Sequence, residues 1–146
     1  MTTPTEVDGA GVSDEFRRTL IEIGGEQYLV AVAETPQETA RGLMSVTQLA
    51  PLDGMLFVYG AERQITHWMK DTLIPLDIAF FDAEGRFVSK TTMVPCIEQD
   101  DADCPRYPAE GPAAFSVEVA AGVFDDLPDD AQLVIFDTVV ASGKEN

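Results

Sequence analysis

The chain has 146 residues, the length of one domain and enough to bury a core without a disulfide framework or a metal. Acidic residues number 26 against 9 basic ones, so the formal net charge is −17. Because each phosphate contact needs a cationic group, this charge argues against nucleic acid and anionic membrane as partners.

The excess of acidic residues also suggests an environment. At molar salt the Debye length is roughly 3 Å, so a strongly acidic surface costs little self-repulsion there. The composition is similar to that of halophilic, salt-adapted proteins. We therefore expect a solvated acidic surface, with recognition of a cationic partner as the alternative.

The first 15 residues are rich in Thr, Gly and acidic residues and predict a disordered lead-in. They lack the basic and apolar regions of a signal peptide, and no apolar run of about 18 residues follows. We expect a soluble monomer with one β domain over residues 16 to 142. It would be cytoplasmic as the chain stands, and extracellular if a leader has been trimmed.

The first predicted elements are two strands, residues 17 to 23 and 26 to 33, in which apolar and polar residues alternate. Gly24 and Gly25 join them, a dipeptide suited to the positive φ angles of a two-residue turn. The pattern predicts an antiparallel hairpin.

A short helix is predicted next, from residue 36 to about residue 42. Thr35 can cap it, Pro36 takes the first helical position, and Glu38 completes a capping box. Gly42 interrupts the helical pattern, so the helix should end near it.

The remaining predicted elements are short strands separated by polar turns. They cover residues 55 to 59, 65 to 69, 76 to 81, 86 to 94, 114 to 120 and 132 to 140. A turn at 82 to 85 predicts a second hairpin. The polar stretch at 95 to 112 is too long for an idle connector, and predicts either a structured functional loop or a mobile one. The fold class is mainly β: a compact antiparallel β-barrel or β-sandwich with one or two short helices.

Four segments in order carry a resemblance to a known family. They are "ARGLM" at 40 to 44, "GMLFVY" at 54 to 59, "HWMKDTLIPLDIAFFDAEG" at 67 to 85 and "VEVAAG" at 117 to 122. Together they resemble the bacterial and archaeal family known as domain of unknown function 192. The resemblance implies a mainly β domain with one short helix that carries the arginine-glycine-leucine-methionine segment. It implies no activity.

The chain departs from the family's pattern in two places. The family usually has Asn after the motif lysine, where this chain has Asp71. It often has a basic residue shortly after the helical methionine, where this chain has Ser45, Val46 and Thr47. A ligand role that depends on those side chains is not expected here.

Scarce residue types gather in the third segment, which holds the only Trp and the only His of the chain, Trp68 and His67. Residues two apart in a strand point to one face, so Trp68 and Lys70 are expected to be neighbours. They would offer a flat apolar surface and a cation to a ligand. The structural alternative is a core tryptophan with a lysine at its edge.

Arg41 and Asp77 complete the candidate ligand-binding set of Arg41, Trp68, Lys70 and Asp77. If the helix packs over the sheet, the Arg41 guanidinium would lie near Asp77 or over Trp68. It would then either fix the helix in place or bind an anion in a pocket.

Asp77 interrupts an apolar strand, and the alternation of that strand favours an outward or pocket-facing position for it. The core side of the strand would then carry Leu76, Ile78 and Phe80. If Asp77 points inward instead, it needs a cation or several donors, and the nearest in the motif are Arg41, Lys70 and Thr72.

His67 is expected to pack rather than to catalyse. No serine, cysteine or second carboxylate stands at a recognisable spacing from it, and a lone histidine does not make a metal site. The family commonly has an aromatic residue at this position. No cofactor is expected.

Cys96 and Cys104 lie eight residues apart in the long polar loop. They can form a disulfide, remain free thiols or bind a metal. A cytosolic setting favours thiols, and the spacing matches no zinc pattern.

These observations predict a non-enzymatic binding domain. Its shallow pocket would lie between the helix at 36 to 44 and the strand at 65 to 71, and would take a small anionic or sugar-like ligand. One alternative is a hydrolase- or lyase-type enzyme with Asp77 and Lys70 as acid and base. The other is a protein-interaction scaffold that uses residues 54 to 59 or an unpaired strand edge.

Overall fold

The computed structural model describes residues 11 to 97 and 100 to 136. In chain order the elements are β1 (Arg17–Ile23), β2 (Glu26–Ala33), α1 (Pro36–Arg41), β3 (Gly54–Arg63), β4 (Thr66–Trp68), β5 (Leu76–Phe81), β6 (Phe87–Met93), a 3-10 turn (Asp101–Asp103), β7 (Arg106–Pro108), β8 (Ala113–Ala120) and β9 (Leu133–Phe136). Seven strands form one sheet in the order β6-β5-β8-β3-β2-β1-β9, and β4 pairs with β7 in a two-stranded sheet. The predicted mainly β class is confirmed.

Both predicted hairpins are present. β1 and β2 pair antiparallel, with Ile23 opposite Glu26 next to the turn. Gly24 and Gly25 make that turn with φ angles of 60° and 89°, which glycine adopts without strain. β5 and β6 pair antiparallel across the turn at residues 82 to 85.

One strand pair differs from the expected antiparallel arrangement. β2 runs parallel to β3, with Val30 opposite Gly54 and Ala33 opposite Phe57. Parallel neighbours need a crossover of about a dozen residues or more. Residues 34 to 53, which include α1, form this crossover and bring the end of the helix against β3.

The capping box predicted for α1 is confirmed. Thr35 Oγ1 accepts from the Glu38 N–H over 3.1 Å, and Glu38 Oε1 accepts from the Thr35 N–H over 3.2 Å. The Glu34 N–H also donates to Glu38, over 3.0 Å. The hydrogen bonds from Glu34 and Thr35 lower the pKa of the Glu38 carboxyl group.

The large sheet curls into a half-barrel whose edge strands meet at one point. Arg86, next to β6, forms a bridge with Gln132, next to β9. The Leu133 N–H donates to the Gly85 carbonyl over 2.8 Å. An apolar core covers each face of the sheet. The helix-side core includes Leu43, Met55, Phe57, Ile78, Phe80 and Met93, and the opposite core includes Ile21, Val30, Leu56, Ala79, Phe81 and Phe124.

β5 is buried on both faces because each face of the sheet carries a core. Leu76, Ile78 and Phe80 fill the helix-side core, as predicted. Asp77 is only 3% exposed, so the interpretation of it as a residue on the wet face is wrong. A period-two pattern shows which residues share a face, but it does not show that the second face is covered.

The segment at 54 to 59 is not an exposed contact. It belongs to β3, which lies between β2 and β8, and Met55, Leu56 and Phe57 are each at most 1% exposed. The scaffold hypothesis that used this segment is therefore wrong.

The polar stretch at 95 to 112 is structured where it is described, since it contains the 3-10 turn and β7. Residues 98 and 99 lie outside the described residues, as do residues 1 to 10 of the predicted lead-in and 137 to 140 of the predicted last strand. Val12 packs against the helix-side core. Within the described ranges, no helix is long and apolar enough to span a bilayer.

Candidate functional site

Two of the motif segments are tied together just after α1. The Ser45 N–H donates to the Asp71 carbonyl over 2.9 Å. Both residues have positive φ angles, 68° and 55°. Asp and Asn adopt this left-handed conformation more readily than most residues, which gives a backbone reason for Asp or Asn at position 71. The hydrogen bond holds the arginine-glycine-leucine-methionine segment against the tryptophan-methionine-lysine segment.

A cavity of about 450 Å³ opens between these segments. It lies where the sequence predicts a pocket, between residues 36 to 44 and 65 to 71; that a ligand fills it stays a prediction. Its walls come from α1, β3, the segment around β4 and one residue of β8. The lining side chains that carry charge, hydrogen-bonding groups or aromatic rings include Arg41, Phe57, Tyr59, Arg63, His67, Trp68 and Glu118.

Gly42 determines how closely the end of α1 approaches β3. Its φ angle is 47°, and a Cβ at this position would lie 3.2 Å from the Phe57 ring. A side chain would strain the backbone and push the ring away. This explains the glycine of the arginine-glycine-leucine-methionine segment.

His67 belongs to a buried network that borders the cavity. Its Nδ1 lies 3.0 Å from a carboxylate oxygen of Glu118. Its Nε2 lies 2.9 Å from Ser116 Oγ and 2.7 Å from the Tyr59 hydroxyl. The Phe57 ring packs edge-on against the imidazole, with 4.7 Å between ring centroids. His67 therefore packs, as expected, and also links three polar side chains.

Chemistry fixes the direction of these hydrogen bonds. An ionised carboxylate only accepts, so a neutral His67 beside Glu118 carries its proton on Nδ1. Nε2 is then an acceptor for the hydroxyl of Tyr59 or Ser116. Burial raises the pKa of Tyr59 to about 12, so its hydroxyl keeps its proton at neutral pH.

Ser116, His67 and Glu118 have the connectivity of a catalytic triad, but the serine is not placed as a nucleophile. Ser116 is 0% exposed, and it is not among the described residues that line the cavity. Tyr59 is half-buried, lines the cavity and lies 3.4 Å from Ser116 Oγ. Of the two hydroxyl-bearing residues that contact His67, Tyr59 is therefore the one that lines the cavity.

Sequence reasoning misses the partners of His67, because they come from β8, 49 and 51 residues further along the chain. One local signal exists: Ser116 and Glu118 are two residues apart in a predicted strand, so both point to one face. Which side chain they meet depends on the strand pairing, which the spacing does not give. Tyr59 and Arg63 belong to β3, the strand before that of His67. The pairing of β3 with β8 shifts register beyond Val58. Such irregularities re-aim side chains.

Arg41 lines the cavity but does not pair with Asp77. Its guanidinium lies 3.5 Å from a Glu15 carboxylate oxygen and 5.4 Å from the centre of the Phe16 ring. The expected contact is wrong because Asp77 faces the opposite core, on the other side of the sheet.

Trp68 also lines the cavity, and the cation beside it is Arg106 rather than the expected Lys70. The Arg106 guanidinium lies 4.3 Å from the centre of the indole ring. Lys70 Nζ is 2.6 Å from Asp101 and 3.5 Å from Asp71. The hydrogen bond to Asp101 raises the pKa of Lys70. β4 ends at Trp68, so the strand alternation behind the expectation does not extend to position 70. A contact between Trp68 and Lys70 stays a prediction.

Asp77 is satisfied without a cation. It accepts from the Thr92 hydroxyl over 2.7 Å, from the Gly122 N–H over 2.9 Å and from the Phe124 N–H over 3.0 Å. The candidate donors Arg41, Lys70 and Thr72 are thus the wrong ones. Asp77 borders a separate cavity of about 260 Å³.

The predicted set is therefore divided. Arg41 and Trp68 share the larger cavity, and Lys70 and Asp77 are not among the described residues that line it. The described partners of Lys70 are Asp101 and Asp71, whereas Asp77 accepts from Thr92, Gly122 and Phe124. The acid–base pair proposed for a hydrolase or lyase is therefore not assembled.

Cys96 and Cys104 are joined in a disulfide with 5.8 Å between their Cα atoms. Both are buried. The Asp71 N–H donates to the Cys96 carbonyl over 3.0 Å, and Arg106 Nη1 donates to the Cys104 carbonyl over 2.8 Å. The disulfide thereby holds the long loop, and the arginine that stacks on Trp68, against the β4 segment.

Within the described ranges, one group of three metal-type ligands comes together: Glu62, Asp82 and Glu84. Arg86 Nε lies 3.1 Å from Asp82, and its Nη2 lies 3.3 Å from Glu84. Arg86 thus pairs with two of the three carboxylates, and none of the three lines the cavity.

Comparisons with known proteins agree with this architecture. The model of the DUF192 family, described as "Uncharacterized ACR", matches residues 19–131. A crystal structure from Novosphingobium aromaticivorans, of a protein of unknown function, has a TM-score of 0.71 and 26% identity, and the match covers 91% of this chain and 99% of that one. No curated protein matches the sequence.

A second solved structure, from Sinorhizobium meliloti, is described as a "putative transcription regulator". Its TM-score is 0.71 and its identity 24%, and the match covers 82% of this chain and 95% of that one. At this identity the similarity shows the fold alone.

Proposed function

Because the chain belongs to the domain of unknown function 192 family, whose description assigns no activity, we propose a function from the geometry of the cavity. The protein is a non-enzymatic binding domain, and the cavity bounded by α1, β3 and β4 takes a small anionic or sugar-like ligand. This cavity is concave and contains a few convergent polar groups on an aromatic wall, as small-molecule sites commonly do.

The observation that carries the proposal is the position of the arginines. The chain has only 9 basic residues and a net charge of −17. Nevertheless Arg41 and Arg63 line this cavity, and Arg106 stacks on its tryptophan. A local cluster of guanidinium groups on an acidic protein supports recognition of a carboxylate or another small anion.

The description of one structural neighbour raises transcription regulation as a second candidate. The formal charge of −17 argues against direct binding to DNA, because the long-range field repels a polyanion. A small-ligand site is compatible with either role. Small-ligand binding is the function that the cavity supports.

A binding screen tests the proposal with D-glucuronate as an anionic sugar, benzoate as a plain carboxylate and D-glucose as a neutral sugar. Trp68, the only tryptophan, reports binding by fluorescence, and amide NMR shifts locate it. We expect glucuronate to perturb residues 41 to 44 and 63 to 68. Shifts scattered over the surface would contradict the proposal.

Substitution of Arg63, one of the two arginines that line the cavity, sharpens the test. Arg63→Gln should weaken glucuronate binding by about tenfold, since a charge-assisted hydrogen bond contributes about 1.5 kcal/mol or more. Arg86→Gln is the matched control, because Arg86 pairs with Asp82 and Glu84 away from the cavity. Equal losses in the two variants would indicate a general charge effect rather than a site.

A further inference from the structure

The chain of hydrogen bonds from Glu118 through His67 to Tyr59 places a condition on binding in this cavity. We propose that the cavity takes an organic carboxylate together with a proton, which His67 accepts. This rests on the proposed function, since it concerns the same cavity, and it narrows the ligand from anionic or sugar-like molecules to carboxylates.

The direction of the Tyr59 hydroxyl proton depends on the protonation state of His67. With His67 neutral, Nδ1–H donates to Glu118 and Nε2 accepts one hydroxyl proton. We assign that proton to Tyr59, whose hydroxyl at 2.7 Å is closer to Nε2 than Ser116 Oγ at 2.9 Å. A tyrosine has one hydroxyl proton. When that proton points at the histidine, the cavity meets the phenol lone pairs and the negative charge of Glu118, and both repel a carboxylate.

Protonation of His67 reverses this. Both ring nitrogens then donate: Nδ1–H to Glu118, and Nε2–H to Tyr59 or to Ser116, whose Oγ lies 2.9 Å away. Nε2 no longer needs a donor, so the Tyr59 proton is free to point at a ligand oxygen. The imidazolium also neutralises Glu118. Ser116, fully buried, thereby has a role as the alternative acceptor.

The other groups around His67 do not compete for this proton. Among the described residues that line the cavity, Glu118 is the only carboxylate, and Arg41 and Arg63 are the only cations. Arginines keep their charge at all relevant pH values. Further neighbours are the rings of Phe57 and Phe80, at centroid distances of 4.7 Å and 5.9 Å, and Tyr107, which lies opposite His67 in the β4–β7 pair. With Glu118 at Nδ1 and a hydroxyl at Nε2, His67 is therefore the lining side chain that is placed to take up the proton.

Arg63 provides the second contact for the carboxylate. Its guanidinium carbon lies 5.2 Å from the centre of the Tyr59 ring, and both side chains line the cavity. A carboxylate has two oxygens and suits a guanidinium next to a hydroxyl donor. A neutral sugar gains nothing from the imidazolium.

Calorimetry measures the proton directly. Glucuronate is titrated into the protein in two buffers that differ in ionisation enthalpy, PIPES and imidazole. The titration is repeated at several pH values between roughly 6 and 9. We expect net proton uptake that rises to about one per bound glucuronate, and by linkage an affinity that falls as the pH rises. Binding of D-glucose, if any, should take up no proton.

Two test variants and one control separate the role of the hydrogen-bond network around His67 from a general effect on the fold. Tyr59→Phe keeps the ring and should weaken glucuronate by about tenfold, whereas Tyr107→Phe, a tyrosine outside the cavity lining, should not. Glu118→Gln should remove most of the pH dependence of binding, because the imidazolium loses its counter-charge. NMR of the imidazole nitrogens should show the Nδ1–H tautomer in the free protein, and the opposite tautomer would overturn the proposal.

The outcomes are distinct for the two proposals. Glucuronate that binds at residues 41 to 44 and 63 to 68 without proton uptake overturns the proton-linked inference and leaves the binding function intact. If neither glucuronate nor benzoate perturbs these residues at any pH tested, the binding function itself fails. Uptake with inorganic phosphate but not with either carboxylate overturns the assignment of the ligand class.

Discussion

Asp77 and Glu118 are both carboxylates buried in the same sheet, yet their surroundings are of opposite kinds. They are 3% and 4% exposed. Asp77 accepts two backbone N–H groups and one hydroxyl on the side of the opposite core. Glu118 accepts from His67 at the wall of the larger cavity.

The contrast lies in whether the hydrogen-bond partners of each carboxylate can exchange the roles of donor and acceptor. Backbone N–H groups cannot reverse their role, so the surroundings of Asp77 permit one arrangement. The partners of Glu118 are an imidazole and, beyond it, two hydroxyls, each of which can both donate and accept. The two acids are buried to nearly the same extent. Their hydrogen-bond partners differ in whether they can switch between donating and accepting.

The largest expected effect is on stability when the two acids are truncated. Asp77→Ala leaves the buried Phe124 N–H and the partly buried Gly122 N–H without acceptors, and should lower the free energy of unfolding by about 3 kcal/mol. Glu118→Ala should cost about 1 kcal/mol, because it leaves one imidazole N–H, rather than two backbone N–H groups, without its acceptor. Urea unfolding of both variants measures this. Equal losses would break the distinction.

The disulfide tests whether the cavity wall depends on the long loop. Replacing Cys96 and Cys104 with Ser should cost about 2.5 kcal/mol on the loop-entropy model. It should also weaken the stacking of Arg106 on Trp68, which tryptophan fluorescence reports. Intact mass with and without reductant checks the bond in the wild type. Asp77 belongs to the other side of the sheet, so the mutant should retain the packing of that region.

The smallest effect concerns the helix that borders the cavity. Thr35→Ala should cost about 1 kcal/mol through loss of the capping hydrogen bond. The pKa of Glu38 is lowered in the folded protein, chiefly by the hydrogen bond from Glu34. Its contribution is therefore present above the pKa of the unfolded chain and is lost as the pH falls through the folded pKa.

Glu38→Gln checks that sign. The stability difference between this variant and the wild type should be largest near neutral pH and should shrink below about pH 4. A difference that grows on acidification would contradict the assignment. Glucuronate affinity at neutral pH should change little, because the Glu38 side chain is not part of the cavity lining.

The elements that depend on near neighbours are the ones that the sequence predicts. Gly24 and Gly25 make the first turn, and Thr35 with Glu38 begins the helix. These features involve residues a few positions apart, so a local pattern contains the whole interaction. The order of the four motif segments, in turn, was enough to indicate the family.

Local sequence patterns are sufficient to predict the mainly β class, both hairpins, the capped helix and the approximate position of the cavity. Three features depend on how the chain folds back on itself: β2 and β3 are parallel, Asp77 accepts from N–H groups beyond β8, and Arg106 stacks on Trp68. The tertiary structure also places Glu118 and Ser116 on His67. These contacts join residues far apart in the chain, and strand pairing, which the alternation of apolar residues leaves open, selects which of them form.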